Sequence, residues 1–303
     1  MRLSLESGFE TQHDERSARF QEYRIMWRAF RRDRLALISL VIVLAFVIAS
    51  ILAPTLTPYP DQGRGKPNLQ QKLAAPNVDH PLGTDELGRD LFARMLFGSR
   101  PSLSIGFLVV GFAVIIGMPL GAIAGYFGGW IDQAIMRITD IFLAFPALLL
   151  AIAISAALGP SLRNVVIAIA LSWWPWYTRL ARAQTLSLKE LAFIEASKAV
   201  GVTDFNIVRE HVLPNVLTPV LVQATMDLGS AILMGSALSF LGLGVQPPDP
   251  DWGNMLNASR IYFSEAPWFA IFPGLAILLI AISFNLFGDG MRDVLDPRSR
   301  RSH

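Results

Sequence analysis

The chain contains no cysteine. That excludes a disulfide framework, a thiolate nucleophile and a Cys-ligated metal centre. Charge is scarce as well: Asp, Glu, Lys and Arg make up 17% of the 303 residues, against roughly 25% in an ordinary soluble domain. Apolar residues fill the gap at 52%, for a mean hydropathy of +0.44. The net charge of +2 is too small to point to a nucleic-acid partner. The four histidines, His13, His80, His211 and His303, lie far apart, and none stands at metal-ligand spacing from another. A nucleotide-binding P-loop is missing too. The one Gly-Lys pair, Gly65 and Lys66, is followed by Pro67, and Pro60 stands where the first glycine would be.

Long apolar runs are abundant. A membrane-crossing helix needs about 20 mostly apolar residues, and six segments fit: Leu35 to Ala53, Leu103 to Tyr126, Ile138 to Leu158, Val165 to about Leu180, Val216 to about Ala237, and Phe269 to Phe287. The spacing predicts an all-α polytopic membrane protein with six spans. Its expected parts are an N-terminal segment 1–34, a first span 35–54, an extracytoplasmic loop 55–101, a core 102–290 and a tail 291–303. The polar lead before the first run is too long for a cleaved signal, so that run is expected to stay as a helix. Cationic segments resist translocation. With both termini in the cytoplasm, 18 of the 26 Lys and Arg fall inside, so that orientation is expected.

Pro119, Pro146 and Pro175 fall in or near the apolar cores of the second, third and fourth spans. Lipid tolerates such breakers only where protein or a water-filled cavity meets the freed backbone groups, so these helices should pack inside a bundle. Gly117, Gly121 and Gly125 form a small-residue stripe at four-residue spacing, which lets helix backbones approach closely.

Between the fourth and fifth spans, residues 187–214 read SLKELAFIEASKAVGVTDFNIVREHVLP. Ser187 and Glu190 have capping-box spacing, predicting a helix from about Leu188. Gly201 should end it in the left-handed region. Thr203 should cap a second short helix from Asp204, which Pro214 closes off from the next span. This hairpin is too polar to insert, yet Leu191, Phe193, Ile194, Ala196 and Val200 leave apolar surface. Either a second protein covers that surface or the hairpin folds back on the bundle.

The run Glu195, Ala196, Ser197, then Gly201, then Leu213 and Pro214 resembles the EAA loop of ATP-binding-cassette importer permeases, spacing included. Ser197 replaces the second alanine of the family pattern, and His211 replaces an isoleucine. Three further stretches resemble the dipeptide, oligopeptide and nickel branch of that family: LGTDELGRD (82–90), SFLGLGVQPPDPDW (239–252) and NLFGDGMRDVLDP (285–297). The resemblance implies a type I importer permease fold with a cytoplasmic coupling helix. It further implies that Glu195 makes polar contacts with a separate ATPase, that Ala196 and Ser197 allow close approach, and that Gly201 makes the turn. Implied partners are a related second permease, two ATPase subunits that bind the ATP and magnesium, an extracytoplasmic solute-binding protein, a peptide substrate and membrane lipid. No cofactor is expected in this chain.

An ionisable group at membrane depth is a functional candidate. Asp227, with Gln223 near it, either lines the passage and meets a cationic peptide terminus or bonds to a neighbouring helix. Arg137, Asp140, Arg179 and Arg182 sit near the cytoplasmic boundary, where arginine snorkelling to headgroups accounts for the cations. The GDGMRD segment lacks calcium-site spacing through Asp289, Asp293 and Asp296 and reads as a capped end to the sixth span. In the extracytoplasmic segments, Asp85, Arg89, Asp90 and Trp252 are candidates for docking the binding protein, with scaffolding as the alternative. Pro247, Pro248 and Pro250 favour an ordered loop there. Rival readings are weaker. An intramembrane enzyme would need facing catalytic groups, and an ion-coupled transporter would show inverted repeats and several buried charges. Nickel chelates and glutathione-like solutes remain alternative cargoes.

Overall fold

The computed structural model describes residues 30, 31 and 33–295. Almost all of the expected N-terminal segment, and the tail from Asp296 with Pro297, lie outside the described residues. Nine helices position the site: α1 (Arg34–Ile51), α2 (Leu91–Phe127), α3 (Gly129–Leu143), α4 (Ala147–Leu158), α5 (Leu162–Lys189), α6 (Ala192–Ala199), α7 (Asp204–Phe240), α8 (Trp252–Ser259) and α9 (Pro267–Leu295). The described residues contain no β-strand, only an isolated bridge between Thr84 and Asp90.

Several helix starts follow side-chain caps. The Asp33 carboxylate accepts from the Leu35 and Ala36 amides at 2.9 and 3.2 Å, opening α1. Asp90 accepts from Ala93 N at 2.7 Å, so α2 begins at Leu91, inside the stretch expected to be loop, and not at Leu103. Its 37 residues span about 55 Å, well beyond the roughly 30 Å hydrocarbon core. Pro101 and Pro119 are both accommodated within it.

Four helices, α1, α2, α7 and α9, are long and apolar enough to cross a membrane alone. The third expected span is broken: α3 and α4 meet at 84°. Pro146 stands at the break, where it has no N–H to donate and pushes Phe145 away from helical geometry. The fourth, α5, has the length to cross but carries Arg163, Arg179, Arg182 and Lys189.

Side-chain pairs show how the helices run. A Cβ on Gly117 would meet Trp174 O at 2.5 Å and Tyr177 Cβ at 2.7 Å, one on Gly121 Ala181 Cβ at 2.8 Å, and one on Gly125 Thr185 Cβ at 2.8 Å. Both numbers rise together, so α2 and α5 run parallel, backbone against backbone along the glycine stripe. Two parallel neighbours require the chain to return between them, and α3 with α4 makes that return. Asn164 Nδ2 donates to the Leu158 and Gly159 carbonyls at 2.8 and 2.9 Å, which places the end of α4 beside the start of α5. On α7 and α9 the numbers run oppositely: Gly229 abuts Ala281, and Gly288 abuts Met226. Arg100 Nε donates to Ser50 O at 2.7 Å, joining the end of α1 to the start of α2. Gly290 abuts Ala36, joining the end of α9 to the start of α1. Among the described residues the chain therefore passes six times between two faces of the bundle. Tyr126, Thr185, Asp204, Ala36 and Gly290 mark one; Ser50, Arg100, Ser161 and Leu243 mark the other.

Small and large residues share the inside of the bundle: Gly106, Ala113, Ala122, Ala168, Ala181, Ala231 and Ser236 are buried together with Tyr177, Phe269, Ile105 and Ile232. Ile271, Leu275, Leu278 and Ile282 line one exposed side of α9, an apolar surface of the kind lipid solvates. The expected cap in the GDGMRD segment does not form. Helix α9 runs through it to Leu295, and its glycines serve close packing instead.

Candidate functional site

The hairpin after α5 sits on the face marked by Tyr126 and Thr185. Its first helix is α6, and the expected capping box does not form. α5 continues through Ser187, whose Oγ donates back to Ala183 O at 3.3 Å. The chain turns only at Leu191, in extended geometry with φ −84° and ψ 139°. Gly201 follows α6 with φ +83°, the left-handed turn expected of it. Thr203 Oγ1 accepts from Asn206 N at 3.4 Å, capping the second helix as expected.

Pro214 does not separate that helix from the fifth span. The two are continuous from Asp204 to Phe240, through a π-helical turn at Val208–Val212 that bonds Leu213 N to Val208 O. The widened turn absorbs the donor that Pro214 lacks. The second arm of the hairpin is therefore a direct extension of a membrane span.

The hairpin folds back on the bundle only in part. Ile194 and, on the second arm, Ile207 are buried, at 1% and 0% exposure, while Val200 and Phe205 are 79% and 70% exposed. Glu195 and Ala196 are exposed on α6, and Ser197 Oγ is occupied within the helix by Phe193 O at 2.8 Å. His211 packs edge-on against Phe193, ring centroids 6.0 Å apart. Leu213 is half-buried and Pro214 exposed at the start of the span.

The second feature is a cleft of about 710 Å³ bounded by α4, α5 and α7. Asp227 and Gln223, one turn apart on α7, both line it. Trp173, Trp176 and Tyr177 form much of the opposite wall, and Arg179 and Ser230 add polar groups. Asp227 accepts from Tyr177 Oη at 2.7 Å and from Gln223 Nε2 at 3.0 Å. It is thus bonded to a neighbouring helix and placed on a cleft at once. Its volume lies in the usual range for small-molecule sites, roughly 300–1,000 Å³. The aromatic wall escaped the sequence reading, though the cluster Trp173, Trp174, Trp176 and Tyr177 about Pro175 was an available signal. Of the three arginines at the boundary, Arg137 lies on α3 itself, and Arg179 and Arg182 are paired to α3. Arg182 forms a two-pronged bond to Asp132 at 2.5 and 2.6 Å, and Arg179 donates to Asp140 at 2.7 Å.

The four docking candidates form no outer surface. Asp85, Arg89, Asp90 and Trp252 are at most 4% exposed. Arg89 Nε donates to Asp85 at 2.6 Å, His80 Nδ1 lies 2.8 Å from Asp90, and Trp252 Nε1 donates to Met95 O at 3.0 Å. Beside them, burial and the Asp85 charge hold the Glu86 carboxyl above its ordinary range. Burial likewise raises that of Asp251, which accepts from Ser102 Oγ at 2.7 Å. As contacts for a partner these four are corrected: charges this deeply buried must find partners inside the chain, and they brace the loop. The proline segment is an ordered loop as expected, with Pro248 O accepting from Arg94 at 3.0 Å.

Comparison with known proteins places these features in context. Residues 117–301 match the family described as binding-protein-dependent transport system inner membrane component. Residues 23–76 match the N-terminal TM domain of oligopeptide transport permease C. The dipeptide transport system permease protein DppC of Alkalihalophilus pseudofirmus is 47% identical over 278 residues, 92% of this chain and 90% of the relative. The glutathione transport system permease protein GsiD of Pectobacterium atrosepticum is 43% identical over 276 residues, 91% of each chain. Among solved structures, an inward-facing MetNI methionine ABC transporter chain superposes with TM-score 0.53 at 20% identity, covering 66% of this chain and 95% of that one. That likeness concerns the fold.

Proposed function

The chain belongs to the binding-protein-dependent transport system inner membrane component family, and from that premise we propose that it shares a di- or oligopeptide path with a second permease and is driven by ATPase subunits docked on its α6–α7 hairpin. It is a multi-pass inner-membrane permease of an ATP-binding-cassette importer.

One observation carries the coupling assignment. The exposed EAA-type surface of α6 is joined, through the Gly201 turn and an unbroken helix, to the α7 residues that line the cleft. A closed ATPase dimer that binds one hairpin position better than another would bias the permease between two states, by as much as that difference in affinity. Glu195, Ala196, Ser197 and Gly201 form the docking turn, and Leu213 and Pro214 lead it into the span. On this reading the hairpin face and both termini are cytoplasmic, the residue 55–90 loop is extracytoplasmic, and a solute-binding protein delivers cargo there.

Asp227 and Gln223 form the polar part of the path. A peptide amino terminus is a cation, and a carboxylate set among Trp and Tyr rings offers it charge and aromatic faces together. The relative that transports glutathione gives a second cargo, itself a small peptide-like molecule with the same ammonium group.

The test is uptake by proteoliposomes holding this permease, its partner permease, the ATPase subunits and the binding protein. ATP-driven import of a labelled dipeptide is expected. Asp227→Asn should lower it about tenfold, roughly the value of one charge-assisted hydrogen bond, at unchanged expression. Wild-type import by the Asn variant removes Asp227 from the path. Competition by unlabelled glutathione separates the two cargoes.

A further inference from the structure

Tyr126 is buried at 3% exposure in the last turn of α2, on the same face as the hairpin. It touches both arms of the hairpin from outside it. Its hydroxyl donates to Asp204 Oδ1 at 2.5 Å, at the start of α7. The Lys198 ammonium, from α6, lies 5.0 Å from the centre of its ring. One side chain thus holds the helix before Gly201 by cation–π attraction and the helix after it by a charge-assisted hydrogen bond. Beside this contact lies a groove of about 260 Å³, lined by Pro119, Ile123 and Phe127 of α2 and by Phe205, Val208 and Leu213 of α7.

We infer that Tyr126 is a positioning residue for coupling, a strut that fixes the angle of the α6–α7 hairpin against α2 so that movement at the ATPase surface reaches the membrane helices. This rests on the importer reading above. α2 is the helix that packs along α5, whose side chains form a wall of the cleft. A rigid tie from hairpin to α2 therefore gives the hairpin two routes into the bundle, one through α7 itself and one through α2. Without the tie, the hairpin could rock about Gly201 while α2 stays still.

The experiment uses the complete reconstituted importer and reads labelled dipeptide imported per ATP hydrolysed. That ratio does not depend on how much complex has folded. Tyr126→Phe keeps the ring over Lys198 and removes the hydroxyl; the ratio should fall about tenfold, the worth of one hydrogen bond to a charged acceptor. Asp204→Asn keeps an acceptor oxygen and should fall less, about threefold, because the charge assistance alone is lost. Combining Tyr126→Phe with Asp204→Ala should be no worse than Asp204→Ala alone, as for two ends of one contact. An unchanged ratio in Tyr126→Phe overturns the inference. So does a proportional fall in import and hydrolysis, which marks a purely structural role. A wild-type assembly that imports nothing on ATP addition overturns the importer reading, and this inference with it.

Discussion

At Gly201 the backbone sits at φ +83°, and a Cβ there would meet nothing within 4 Å. Any cost of substitution is therefore conformational and not steric. An ordinary L-residue in the left-handed region costs about 1–2 kcal/mol, a β-branched one more, and Asn much less. Gly201→Val should insert and assemble yet lose ATP-driven import, while Gly201→Asn should keep most of it. Similar import by the two variants would show that the angle of this turn does not matter to coupling. Gly201 was legible in the sequence because a glycine after an amphipathic run has a local reason to be there. Asp227 was legible for the same kind of reason, a lone acid in an apolar segment. Tyr126 was not, since its acceptor lies 78 residues away and an aromatic at the end of a span reads as an interface anchor. Asp85, Arg89 and Asp90 misled: charged residues in a loop between spans read as surface, and only the folded chain shows them paired inside.

For elements, the α2–α5 pair is the test case. Gly121 lies where the two backbones are closest, a Cβ there meeting Ala181 Cβ at 2.8 Å and Arg182 N at 2.9 Å. Gly111 on the same helix has nothing within 4 Å. Gly121→Val should force the helices apart and cost about 1–3 kcal/mol or more, seen as a lowered unfolding temperature in detergent. Gly111→Ala should be neutral or raise stability by up to about 1 kcal/mol through helix propensity alone. Equal shifts in the two variants would mean that the stripe is not a packing seam. The stripe itself could be read from four-residue spacing. Helix ends were harder, because a template of about 20 apolar residues stops at polar turns even where the helix continues. α2 therefore starts at Leu91, ahead of Arg94 and Arg100, and α9 runs on through Asp289. The Ser187 box failed because its signal is local, and α5 continued through it. Pro146 was flagged as a breaker, but the size of the bend depends on what α3 binds, and Asp132 and Asp140 pin it to α5.

For the whole molecule, the parallel course of α2 and α5 fixes how many times the chain crosses between the residue 55–90 loop and the hairpin. There must be three crossings, α2, the broken α3–α4 segment and α5, and an odd number puts the two regions on opposite sides. The absence of native cysteine makes this directly measurable. Val78, 98% exposed in the loop, and Val200, 79% exposed beside Gly201, are each replaceable by a single reporter cysteine without disturbing the core. In intact cells, a membrane-impermeant maleimide should label Val78→Cys; Val200→Cys should label only after permeabilisation. Labelling of both from the outside would require an even number of crossings, so that α3 and α4 dip into the membrane and return, in conflict with the glycine register. Labelling in the reverse sense would leave the fold intact but place the EAA-type surface away from any ATP, and the coupling proposal would fail. The sequence favours the expected result: an orientation with the hairpin and both termini inside assigns 18 of the 26 Lys and Arg to segments that need not be translocated.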